Sequence, residues 1–306
     1  IFLSVGVVLW LNFADPNNFS KSEETRMVAL KRLLPKRGQR ILEGLITQAV
    51  MIAIVGPFFF IFFYMFWSSF KPDYLFFEPG IWSFEPIWDN YNEVIENSDM
   101  VRNIGNSLVI SGIATLIGLA CGLLTAYSVA RYNLQKLAMA ILLTRMIPYI
   151  TALVPFWMVY KQVGLLNSYS GLILAHLIIT IPFSVWIMIG FIEDIPKDLE
   201  EAAWIDGCSK AQGFIKVILP LSTPGMVATA ILCFIFSWNN FQLALVLGGF
   251  DVSTAPVTVF KYADPEAGGS GQMMAAATLV TIPVFIIVLA IQKQLASGLT
   301  MGGVSK

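Results

Sequence analysis

Glu200-Glu201-Ala202-Ala203-Trp204-Ile205-Asp206-Gly207, running on through Phe214 to Val217-Ile218-Leu219-Pro220, is the stretch on which the reading of this chain turns. It is the core of a polar loop, about 193–220, set between two long apolar runs. Pro196 suits a first helical turn, where its missing N–H is not needed. Asp198, Glu200 and Glu201 place negative charge at the positive end of a helix dipole. Gly207 is placed to stop that helix, because glycine enters the left-handed region without a steric penalty. Ser209-Lys210-Ala211-Gln212 has the spacing of a capping box, which predicts a second helix start. Leu219-Pro220 is expected to end that helix. The result is a helix–glycine–helix elbow, with Ala202 and Ala203 small enough to let another backbone come close.

Outward from the elbow, the chain is apolar. Hydrophobic residues make up 57% of it and charged residues 13%, against about a quarter charged in soluble domains. Spans of about twenty apolar residues fall near 42–68, 105–130, 137–159, 169–192, 221–247 and 274–292. The fold class expected is all-α: a multi-span membrane helix bundle with six core transmembrane helices. Residues 1–13 are apolar but short for a full span, and residues 14–40 turn basic. We therefore divide the chain into an N-terminal segment, 1–40, and a transmembrane domain, 41–306. The first residue is Ile1 rather than methionine, so the true N-terminus is expected upstream and no targeting segment is read. Basic residues collect on the cytoplasmic side of membrane proteins. Of the 19 Lys and Arg, 14 fall in 14–40, 131–136, 193–220 and the C-terminal tail, and only 4 in the intervening loops. That distribution puts the elbow and the C-terminus in the cytoplasm. Cys121, Cys208 and Cys233 are an odd number, two of them in apolar runs, and offer no disulfide framework.

Polar groups inside the apolar runs mark a pathway. Arg145 is the one Lys or Arg within a span, and such a charge is expected to face the bundle interior or a wet cavity. Pro148 and Pro155 free the carbonyls of Thr144 and Thr151, and with Tyr149 they predict an opened helix beside it. Trp238, Asn239, Asn240 and Gln242 interrupt the fifth span; amides beside an indole suit the hydroxyls and apolar faces of a sugar, and interhelical hydrogen bonding is the plainer reading. Ala114, Gly118, Gly122 and Ala126 recur every fourth residue and predict close helix packing. His176 stands alone, without ligand-spaced neighbours, so no metal site is expected. The acidic loop 69–104, with Trp82, Trp88 and Tyr91, reads either as a docking surface for an external protein or as an interfacial aromatic belt. No phosphate-binding loop and no nucleophile–base constellation is present, so the chain is not read as an enzyme; nor is a nucleic-acid partner expected.

Glu201-Ala202-Ala203, then three residues, Gly207, nine residues, and Val217-x-Leu219-Pro220 resemble the EAA loop of ABC importer permeases, and Asp206-Gly207 resembles the sugar-importer branch. The chain is thus identified as similar to carbohydrate permeases of the maltose type, from about residue 44 to residue 306. Val217 replaces the isoleucine of the pattern. The resemblance implies half of a translocation pathway in the bacterial inner membrane, working by alternating access. It implies as partners a homologous second permease, a dimer of ATPase subunits holding ATP and Mg, an external solute-binding protein and the surrounding lipid. On this resemblance Glu201, Ala202, Ala203, Asp206, Gly207, Leu219 and Pro220 contact the ATPase, and the tail Gly298–Ser305 resembles one that reaches the ATPase dimer. This chain would bind no cofactor itself. The alternative from another class is an ion-coupled secondary transporter, which calls for deep intramembrane acids that the six spans lack.

Overall fold

The computed structural model describes residues 36–78, 82–249, 251–263 and 269–301. The short apolar stretch 1–13, most of the basic stretch and the last tail residues lie outside the described residues. Among those described, the chain is helical without strands, and it divides into a unit ending at Tyr64 and a larger unit from Met65 onward. The first unit holds most of α1 (Lys36–Ser68). From Ile52 to Phe63 it is apolar all round, the pattern of a membrane span.

In the larger unit the long apolar helices are α3 (Met100–Tyr132), α6 (Tyr169–Glu193), α9 (Leu219–Trp238) and α12 (Ser270–Met301), following the short α2 (Asp89–Glu96). Together with α1 they give five helices long and apolar enough to cross a membrane. The sixth expected span is a pair, α4 (Gln135–Met146) and the stretch Tyr149–Gln162 containing α5 (Leu153–Gln162), bent by 77°. The bend has a local cause. Pro148 cannot donate to Thr144, and Ile147 before it is extended at φ −78°, ψ 117°. Thr151 Oγ1 donates to the Pro148 carbonyl at 2.7 Å, and a 3-10 turn follows. Pro155 falls in the first turn of α5, just past the opened stretch that holds Tyr149 and Thr151, where its missing N–H is harmless.

The small residues every fourth position on α3 pack against α6. Ala114, Gly118, Gly122 and Ala126 are all buried. A Cβ on Gly118 would stand 2.5 Å from Thr180 Oγ1, and one on Gly122 would run into Ser184. Thr180 Oγ1 donates to the Ala114 carbonyl at 3.1 Å. One turn before Thr180 on α6, α9 is tied by His176 Nδ1 and Ser237 Oγ, 2.6 Å apart. His176 is therefore a packing residue with a hydrogen bond.

Two boundaries differ from the sequence reading. Leu219-Pro220 does not end the elbow's second helix: α8 (Lys210–Gly213) runs through a π turn, Phe214–Ile218, into α9. The Leu219 amide bonds the Phe214 carbonyl, five residues back. The widened turn lets Pro220 enter at the first positions of α9, where no N–H is needed. The fifth span accordingly covers Lys210–Trp238 rather than 221–247. It stops at Asn239-Asn240, and Asn240 Oδ1 then caps α10 (Phe241–Leu247) by accepting from the Leu243 amide at 3.0 Å.

At the N-terminal end of α3 a polar network ties down the loop carrying α11 (Ala255–Lys261). Asn103 donates to Thr258, Asn106 to the Ser253 carbonyl, and Ser107 accepts from the Ala255 amide. Asn90 on α2 donates to the carbonyls of Ser69 and Lys71, beside the ring cluster of Phe70, Trp88 and Tyr91, packed edge-on and tilted.

Candidate functional site

At the other end of α3, α7 (Asp198–Ile205) forms the first leg of the elbow, with Asp198, Glu200 and Glu201 in its first turn. The chain turns at Gly207, where φ is +90°; a β-branched residue would be strained there. The Cys208 amide bonds the Ala203 carbonyl at 2.9 Å across the turn. The capping box then forms as expected: Ser209 N donates to Gln212 Oε1 at 2.9 Å and Gln212 N to Ser209 Oγ at 3.3 Å. Glu201, Ala202, Asp206, Gly207 and Pro220 are exposed, while Ala203 and Leu219 are half-buried. Ile205 is 86% exposed at the tip of α7. A large apolar side chain so displayed on an otherwise polar loop fits a contact surface.

The sequence reading singled out Glu201 and missed its neighbour. Glu200 is buried, ion-paired with Arg131 and accepting from the Tyr127 hydroxyl at 2.8 Å. The helix step alone could not have told them apart: adjacent residues on α7 point about 100° apart, and Glu201 and Ala202, also adjacent, are both exposed. Tyr127, Arg131, Lys197, Glu200, Trp204 and Lys210 line a cleft of about 250 Å³ under the elbow. Gly213 lets the second leg approach Trp204, whose indole nitrogen would be 3.0 Å from an added Cβ.

A second cavity, of about 240 Å³, lies at the bend between α4 and α5. Thr144, Arg145, Tyr149, Ile178, Phe236 and Asn240 are among its lining. The Arg145 guanidinium lies over the rings of Phe183, at 4.7 Å, and Trp186, at 5.6 Å. Such cation–π contacts orient a charge without neutralising it, and no carboxylate forms an ion pair with Arg145 among the described residues. Asn240 Nδ2 lies 3.4 Å from the Tyr149 hydroxyl. The fold thus brings Arg145 and Tyr149, on the two sides of one bend, together with Asn240, some ninety residues on. It does not bring the other three expected residues to this cavity. Trp238 is buried and stacks on Phe234, Asn239 donates back to the Ile235 carbonyl, and Gln242 lies half-buried on α10. The helix break separates Trp238 from Asn240: it turns the indole into one core and the amide toward the other.

A bundle of this kind, with an elbow displayed between two of its spans, defines a multi-pass membrane protein. Residues 114–301 match the family described as binding-protein-dependent transport system inner membrane component. The trehalose transport system permease protein SugB of Mycobacterium tuberculosis is 36% identical over 223 residues, covering 71% of this chain and 81% of that protein. The trehalose/maltose transport system permease protein MalG of Thermococcus litoralis is 32% identical over 266 residues, 84% and 95% of the two chains. In fold, the chain resembles a bacterial ABC transporter involved in the import of alginate, with a TM-score of 0.64 at 20% identity over 85% of this chain and 98% of that one. The chain belongs to the family of inner-membrane components of binding-protein-dependent transport systems: it is a permease subunit of an ABC importer, and not an enzyme.

Proposed function

We propose that this permease serves an importer of a sugar or oligosaccharide and forms half of its translocation pathway. The observation that carries the reading is the conjunction of sugar-transport relatives with the Arg145–Tyr149–Asn240 cavity. A guanidinium, a phenol and an amide offer donors and acceptors to hydroxyls, and Phe236, which also lines the cavity, offers a ring to the apolar side of a sugar. The substrate pathway therefore centres on Arg145, Tyr149 and Asn240. The partners proposed are a homologous second permease completing the cavity, two ATPase subunits carrying ATP and Mg, and an external binding protein. The elbow faces the cytoplasm, and Glu201, Ala202, Ala203, Asp206 and Gly207, with Ile205 at the tip, meet the ATPase. ATP-driven closure of the ATPases moves the elbow and turns the cavity outward. An ion-coupled carrier acting alone finds no support among the relatives.

The test is purification of the whole transporter with its binding protein, identification of the bound ligand, and uptake of that ligand into ATP-loaded proteoliposomes. A sugar ligand with ATP-dependent uptake is expected; a non-carbohydrate ligand contradicts the substrate class. Tags near Lys210 and Asp89 should report opposite sides of the membrane, and finding both on one side contradicts the orientation.

A further inference from the structure

Glu200 stands immediately before the exposed face of the elbow and points the other way. It is 2% exposed, and the Arg131 side chain 9%. Both carboxylate oxygens are engaged, Oε1 with Arg131 Nε and Oε2 with the Tyr127 hydroxyl. Arg131 Nη2 also donates to the Ile195 carbonyl at 3.0 Å, where α6 gives way to the elbow. One turn back along α3, the Tyr127 ring lies edge-on to Phe214 at 4.9 Å, in the returning leg. The last turns of α3 therefore hold the elbow at three places: its entry, its first helix and its return. Burying a charge pair is weak evidence for stability, because desolvation offsets the attraction. What a guanidinium fork supplies that apolar packing does not is a fixed direction.

We infer that Glu200 is a positioning residue of the transport cycle. With Arg131 and Tyr127 it locks the elbow to α3, so that displacement of the elbow is carried into α3 and into α6 packed along it. Without the lock, the movement would be absorbed at the Ile195–Pro196 turn. The inference rests on the elbow being the ATPase contact proposed above.

The experiment uses the complete transporter in lipid, in a cysteine-free background. Two quantities are read: solute carried per ATP hydrolysed, and the spin-label distance distribution between exposed positions 117 on α3 and 211 on α8. Glu200→Gln and Arg131→Gln should broaden the distribution and lower the transport ratio about tenfold, within the usual range of coupling between sites. Either may also impair assembly, so the deciding variant is the double replacement Arg131→Met with Glu200→Leu, which keeps the volume and removes the buried charges. It should assemble at wild-type yield and still show the broad distribution and the low ratio. A narrow distribution with a wild-type ratio in that variant overturns the inference, since the pair would then only fill space. A broad distribution with an unchanged ratio overturns it as well. Whether the fault then lies with the elbow as ATPase contact is decided separately by cross-linking Ile205→Cys to the ATPase.

Discussion

The elbow and the Arg145 cavity are built in opposite ways. The elbow is made of consecutive residues, and each of its turns is set by a residue type at a fixed offset: Gly207 at φ +90°, Ser209 with Gln212, Pro220 after the π turn. The cavity collects its lining from three distant stretches, Arg145 with Tyr149, Ile178 on α6, and Phe236 with Asn240. A local device survives changes in packing that a composite one does not. Both, however, depend on α6, which lines the cavity midway and leads into the elbow at its end.

The largest effect should follow from striking that shared support. Gly118→Leu would drive a side chain into Thr180 on α6, and overpacking of a tight interface costs about 1–3 kcal/mol or more. Loss of folded yield on size-exclusion chromatography is expected, with both regions lost together. Gly112→Ala, where nothing lies within 4 Å of an added Cβ, should leave yield unchanged. Equal yields from the two variants would remove α6 as the common frame.

Gly207→Val should separate the regions. Strain at a positive φ costs about 1–3 kcal/mol, so ATPase copurification and transport should fall roughly ten- to a hundredfold, at about tenfold per 1.4 kcal/mol. The bundle itself should insert and retain its ligand. A smaller, converse effect is expected from Arg145→Lys, which keeps the charge but loses the planar fork. Assembly and ATP hydrolysis should persist, while transport drops several-fold or changes its sugar preference. Dissociation of the purified complex would instead assign Arg145 to the contact with a second permease. The smallest effect belongs to Asn240→Ala. Losing this helix cap costs about 1 kcal/mol, to be seen as a modest fall in melting temperature; transport should drop by less than with Arg145→Lys, with the elbow's ATPase contact intact.

The same contrast explains what was legible in the sequence. The elbow, the capping box and the small-residue seam depend on offsets of three or four residues, and they stand where the spacing puts them. The bend at Pro148 was legible for the same reason. Pro220 misled because a proline's effect depends on whether it meets a helix interior or a first turn, and that is decided by neighbouring hydrogen bonds. Trp238 and Asn240 were grouped because they are two residues apart, but the helix break between them sends the side chains to different cores. Glu200 read only as a charge at the helix dipole because its partners, Tyr127 and Arg131, lie some seventy residues away.

The central claim is that the elbow is where the ATPase takes hold. Its most direct test is a cysteine at Ile205, the exposed tip of α7, in a transporter otherwise free of Cys121, Cys208 and Cys233, cross-linked in the membrane with a short thiol-to-amine reagent. A single adduct between this chain and the ATPase is predicted, changing in yield when ATP is supplied, with no such adduct from a cysteine at exposed Tyr74. An ATPase adduct from position 74 with none from position 205 would contradict the account.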